Sequence, residues 1–133
     1  FYASREAARI MVPQGSGNIL MIGSDAGEHG TPNFSLYGVT KAAMHALTKN
    51  LAIELGPSGL RVNCMAMGPT RSGRVKELLD NDPEFYKSRI NKVPIRDFGD
   101  PEDIAETALF IVSPANKFMS GAIVMIDGGI TAG

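Results

Sequence analysis

Three short runs rich in apolar residues, at 19–22, 60–67 and 122–126, are separated by stretches with helical spacing. That alternation constrains the chain more than any other feature. Runs of this length bounded by Gly, Pro and Asn read as strands, and a run apolar on both faces fits a strand covered by helices on each side. Helical patterns occupy 1–12, 35–55, 74–81, 83–92 and 101–112. Strands alternating with helices predict a parallel sheet with helices on both faces. Three strands are few for a doubly wound sheet.

Punctuation supports the boundaries. Pro13 and the Gln14-Gly15-Ser16-Gly17 cluster end the first helix, and Gly56-Pro57-Ser58-Gly59 ends the longest one. Gly68-Pro69 breaks the second strand. Asp82-Pro83 and Asp100-Pro101 each place a capping carboxylate before a proline suited to the first helical position. Asp127-Gly128-Gly129 turns the chain into its tail.

The bulk numbers exclude several classes. At 133 residues, 44% apolar and 20% charged, the chain is one domain at most, with ordinary globular composition. A net charge of −1 gives no electrostatic case for nucleic acid or an anionic membrane surface. There is no long apolar run and no signal-peptide pattern. Cys64, alone in an apolar setting, reads as a buried reduced thiol, which points to a cytoplasmic compartment. Two histidines and one cysteine make no metal-binding spacing. The chain opens at Phe1-Tyr2-Ala3 in mid-pattern, so the expectation is that part of a larger domain precedes it.

The residues able to do proton chemistry gather in 18–41. A strand ends at Gly23-Ser24, a Gly-rich loop follows, and a helix carries Tyr37 and Lys41. Four residues apart on a helix, these two share a face. An ammonium beside a phenol favours the phenolate, so such a tyrosine suits acid or base work on an alcohol or carbonyl. Ser24 falls where ligands bind in open parallel sheets, at a strand's carboxyl end. Taken alone, the pair is ordinary helix surface, and serine is common in turns.

The chain resembles the carboxyl-terminal half of a short-chain dehydrogenase/reductase over essentially its whole length. Tyr37-Gly38-Val39-Thr40-Lys41 matches that family's YxxxK signature, and Ser24 lies thirteen residues before the tyrosine. The pieces at 42–48, 51–57, 59–63, 98–105 and 120–129 follow in the family's order. The resemblance implies an α/β fold, the carboxyl-terminal part of a Rossmann-like doubly wound parallel sheet with its amino-terminal strands missing. Residues 1–133 would then form the catalytic and substrate-binding half of the domain. It implies an NAD- or NADP-dependent oxidoreductase interconverting an alcohol and a carbonyl by hydride transfer. Tyr37 would be the acid/base and Ser24 would hold the substrate oxygen. Lys41 would assist the tyrosine and bind the nicotinamide ribose. Gly68, Pro69, Thr70 and Ser72 would line the nicotinamide, with Tyr37 and Lys41 also touching the cofactor. The partners implied are a small-molecule alcohol or carbonyl and a second copy of the chain, as a homodimer or homotetramer through the 36–55 helix. Rival readings are a non-catalytic fragment or subunit, and an epimerase or dehydratase using the same trio.

The chain departs from the family pattern in two places. Met67-Gly68 stands where the family has Pro-Gly. The family's phosphate loop and catalytic asparagine have no match. Gly15-Ser16-Gly17 is no substitute, because it precedes a strand, whereas a phosphate loop follows one and opens a helix. Among the remaining residues, His29 reads as a loop histidine near the cleft and His45 as a surface or interface residue. Met65 and Met67 read as core, and Arg71, Arg74, Lys76 and Glu77 as the solvated face of a lid.

Overall fold

The computed structural model describes residues 1–133, except for the side chain of Arg74. The expectation for that side chain therefore lies outside the described residues. Strands β1 (Gly17–Ile22), β2 (Leu60–Met67) and β3 (Ile123–Ile126) form a parallel sheet in the order β1-β2-β3. Helix α1 (Tyr2–Gln14) precedes β1 and α2 (Ser35–Leu55) joins β1 to β2. Three more, α3 (Gly73–Asn81), α4 (Pro83–Ile90) and α5 (Pro101–Val112), lie between β2 and β3. The predicted parallel α/β architecture is the one observed.

Helices α2 and α5 and strand β2 have the expected bounds; other ends move for local reasons. Strand β1 starts at Gly17, before its apolar run, because the ladder already pairs Gly17 with Leu60 and Asn18 with Arg61. Pairing is a backbone property and needs no apolar side chain. Helix α1 runs through Pro13 to Gln14 and stops at Gly15, whose φ of 69° is left-handed. A proline this near the carboxyl end removes one hydrogen bond without breaking the helix above it. Helix α4 ends at Ile90, two residues short of the expected Lys92.

Strand β2 is the core. Leu60, Val62, Cys64, Met65 and Ala66 are all buried. Side chains alternate across a strand, so Leu60, Val62 and Cys64 share the face of their β1 partners Gly17, Ile19 and Met21. Helices α1 and α2 cover that face. Met11 of α1 presses on Gly17, and Ser4 of α1 touches the Met21 sulfur.

Helix α5 covers the other face through polar anchors. Asn18 Nδ2 donates to the Val112 carbonyl at 3.3 Å. The Arg61 guanidinium donates to the carbonyls of Ile111 (3.1 Å), Met119 (3.2 Å) and Ser113 (3.2 Å). The last carbonyls of a helix have no partner within it, and Arg61 supplies one. Asn63, also buried, donates to the Met119 carbonyl and accepts from the Ala122 N–H. Among the described residues no helix is long and apolar enough to cross a membrane.

Candidate active site

The site forms where β1 and β2 end. Gly23 continues the β1–β2 ladder, its N–H donating to the Met65 carbonyl at 2.8 Å. A Cβ on Gly23 would lie 2.6 Å from Cys64 Sγ and 2.8 Å from His45 Nε2. Only glycine lets the strand end press so closely on its neighbours. Ser24 follows in extended conformation and is buried. Its Oγ donates to Asp25 Oδ1 at 2.9 Å and accepts from the Ala26 N–H at 3.3 Å. The serine thus caps the one-turn 3-10 helix Asp25–Gly27.

Helix α2 delivers the other two. Tyr37, 43% exposed, stands in its first turn with Phe34 edge-on at 5.5 Å between ring centres. One turn later Lys41 Nζ donates to the Ile22 carbonyl at 2.9 Å and lies 5.5 Å from the centre of the Tyr37 ring. Ser24 and Tyr37 line one cleft of about 840 Å³. Lys41 ties the helix to the end of β1 beside them.

The turn leaving β2 forms another wall, with Met67, Gly68, Pro69, Thr70 and Ser72 all on the cleft. Gly68 is needed for a contact within the protein: a Cβ there would lie 2.7 Å from the Asp127 Cα. Thr70 Oγ1 donates to the Gly68 carbonyl at 3.2 Å, and the Gly99 N–H donates to the Pro69 carbonyl at 3.1 Å. Ser72 precedes α3 but makes no side-chain capping bond, so its hydroxyl is available to a ligand. Val75, Leu78, Phe85, Phe98 and Ile104, from the 73–104 region, complete the cleft as a largely apolar lid.

These donors fit a nicotinamide and its ribose. An ammonium has three hydrogens, and one of those on Lys41 is committed. The Ser72 hydroxyl is free of capping duty on the cleft that Ser24 and Tyr37 line, with Lys41 beside it. Among the described residues no group of His, Cys, Asp and Glu could hold a metal ion.

Three sequence-based expectations for other side chains need revision. His45 is not a surface residue: it is buried at 3% exposure, with Nδ1 2.9 Å from Glu28 Oε1 and Nε2 without a partner. Its ring fills the space that Gly23 and Gly27 leave open, which is what buries it. Arg71 is half-buried and pairs with Asp97 and Asp100, tying the β2 exit to the start of α5; Lys76 and Glu77 are exposed as expected. Met67 is half-buried on the cleft wall, whereas Met65 is core. His29 does border the cleft, but Asp25 and Thr31 hold its ring within the loop. Burial raises the Cys64 thiol above its ordinary pKa, with a hydrogen bond to Thr48 pulling the other way, and the cysteine is free and buried.

Comparison with known proteins places the fold. A family described as Enoyl-(Acyl carrier protein) reductase matches residues 1–131. The chain is 40% identical, over 99% of its length, to Inactive 2-(S)-hydroxypropyl-CoM dehydrogenase 2 of Xanthobacter autotrophicus, covering 59% of that protein. It is 38% identical, over 97% of its length, to the 7alpha-hydroxysteroid dehydrogenase of Escherichia coli K12, covering 50% of it. The solved structure of ElxO with NADP bound superposes with a TM-score of 0.92 at 29% identity, over 97% of this chain and 52% of that one. The chain spans about half the length of these proteins.

Proposed function

This chain belongs to the short-chain dehydrogenase/reductase family, and from that premise we propose that the whole protein is an NAD(P)-dependent oxidoreductase interconverting an alcohol and a carbonyl. The observation that carries the reading is the convergence of Ser24 and Tyr37 on one cleft, with the Lys41 ammonium 5.5 Å from the tyrosine ring centre. The NADP-bound solved neighbour and the dehydrogenase names of the relatives support it. Residues 1–133 are then the catalytic and substrate-binding half of the domain.

Tyr37 Oη takes the proton from an alcohol, or gives it to a carbonyl oxygen. The nearby positive charge of Lys41 stabilises the negative charge that develops on Oη as the proton moves. Ser24 Oγ–H is directed at Asp25. In that state the serine can accept from an alcohol O–H with a lone pair; holding a carbonyl oxygen requires the hydroxyl to rotate. A nicotinamide cofactor, NAD or NADP, supplies hydride exchange with the carbon when bound. Tyr37, Lys41, Gly68, Pro69, Thr70 and Ser72 are the residues of this chain that would hold it.

Two further readings accompany this one. The reduced, buried Cys64 supports a cytoplasmic setting. The exposed apolar side of α2 supports a homodimer or homotetramer.

The test is Tyr37→Phe in the full-length protein. Turnover, followed by nicotinamide absorbance, is expected to fall at least about a thousandfold, in the upper part of the range for losing a positioned acid/base. Cofactor binding, followed by nicotinamide fluorescence, is expected to hold. Normal turnover in the variant would sink the assignment. If the parent binds cofactor yet turns over no alcohol or carbonyl, the non-catalytic reading takes its place. Substrate conversion without net change in nicotinamide absorbance would favour the epimerase or dehydratase reading.

A further inference from the structure

The lid wall of the cleft is apolar, and two cations interrupt it: Arg89 in the last turn of α4 and Lys92 just beyond. The Lys92 N–H donates to the Arg89 carbonyl at 3.0 Å, which fixes their relative placement. Arg89 is half-buried, and its guanidinium lies 5.3 Å from the centre of the Phe85 ring.

Among the described residues, every other arginine side chain has an oxygen partner. Arg5 and Arg9 reach Glu6, Arg61 reaches three carbonyls, Arg71 reaches Asp97, and Arg96 reaches Asn91. Arg89 has none, although a guanidinium carries five donors in a planar fork shaped for a carboxylate or similar oxyanion. Lys92 makes no ion pair among the described residues. The one carboxylate bordering the same cleft, Asp25, is already engaged by the Ser24 hydroxyl and the Ala26 N–H.

A cation in a last helical turn also suits the helix dipole. That role does not need Arg89 on the cleft, since Lys87 occupies the same turn, exposed and paired with Glu84. What remains is a largely apolar chamber carrying an uncompensated positive pair in its lid.

We infer that the substrate of this cleft is a small alcohol or ketone with an apolar body and an anionic oxyacid group at its end, and that Arg89 binds that group. Lys92, exposed nearby, draws the anion in. The inference rests on the oxidoreductase reading for the reacting carbon, but recognition of the anion is separable from turnover.

The test uses the full-length protein. Calorimetry compares butanoate, hexanoate and octanoate with the alkanesulfonates and the uncharged amides of equal length. Turnover of the corresponding hydroxy compounds is followed by nicotinamide absorbance. The best anion is expected to bind about 10- to 100-fold more tightly than its amide. Arg89→Gln should bring that ratio near one, while Arg89→Lys should keep part of it. The carboxylate and sulfonate series show which oxyanion is preferred, and preference for either supports the inference. Equal binding of anions and amides, or a ratio unchanged in Arg89→Gln, overturns it. Anion preference without turnover of any hydroxy compound would count against the oxidoreductase reading and leave the role of Arg89 standing.

Discussion

Tyr37, Lys41 and His45 follow one another at four-residue intervals along α2, yet their surroundings differ sharply. Tyr37 opens onto the cleft, Lys41 is held on the Ile22 carbonyl, and His45 is buried against the loop that carries Ser24. The first two were legible in the sequence because their pairing is local to one helix. The third was not, because its burial depends on Gly23, Gly27 and Glu28, which no helical period connects to it. His45→Ala should therefore cost about 3 kcal/mol, the low end for losing a buried ring, and thermal unfolding of the full-length protein measures it. Asp127 offers a pH handle. Burial alone would raise its carboxyl, but hydrogen bonds from the Thr131 hydroxyl and N–H and the Gly129 N–H outweigh that and hold it below the ordinary 3.8. A carboxyl held low in the folded state stabilises above its unfolded pKa, and the benefit fades as pH falls through the folded value. Asp127→Asn should thus lose about 1–3 kcal/mol in urea unfolding at pH 7, and its difference from the parent should narrow as pH falls below the ordinary carboxylate range.

Among the elements, α2, α5 and β2 were readable end to end because both periodicity and boundary signals mark them. The other ends were less so. Pairing with β2 sets the start of β1, and the left-handed Gly15 sets the end of α1. No apolar pattern records either. Polar residues inside strands carry roles that no apolar pattern records. Arg61 and Asn63 satisfy backbone groups at the α5 end and in the approach to β3. Helix α4 gives a clean test of a signal that was legible. Asp82 Oδ1 accepts from the Glu84 and Phe85 N–H groups, as its place before Pro83 suggested. Asp82→Ala should cost about 1 kcal/mol. Because α4 carries Arg89 and Phe85, its fraying should also raise KM more than it lowers kcat.

At the scale of the molecule, an apolar face remains outside the core. Leu36, Val39 and Ile53 on α2 are 79%, 67% and 76% exposed, and they fall on one side of the helix. A contiguous apolar face of this kind marks an interaction surface. If it joins copies of the protein, Val39→Glu combined with Ile53→Glu should shift the full-length protein to smaller species in sedimentation velocity. An unchanged distribution would move the contact elsewhere.

The Arg61 clamp carries a consequence for motion. One side chain in the central strand holds carbonyls at 111, 113 and 119, so the end of α5 and the approach to β3 are tied to the sheet. Helix ends ordinarily open by fraying, far more often than the whole domain unfolds. Here the clamp couples that opening to loss of the sheet. In native-state hydrogen exchange, the amides of the last turn of α5 should exchange about as slowly as those of β2. Arg61→Met should release them to fast local exchange while leaving β2 protected.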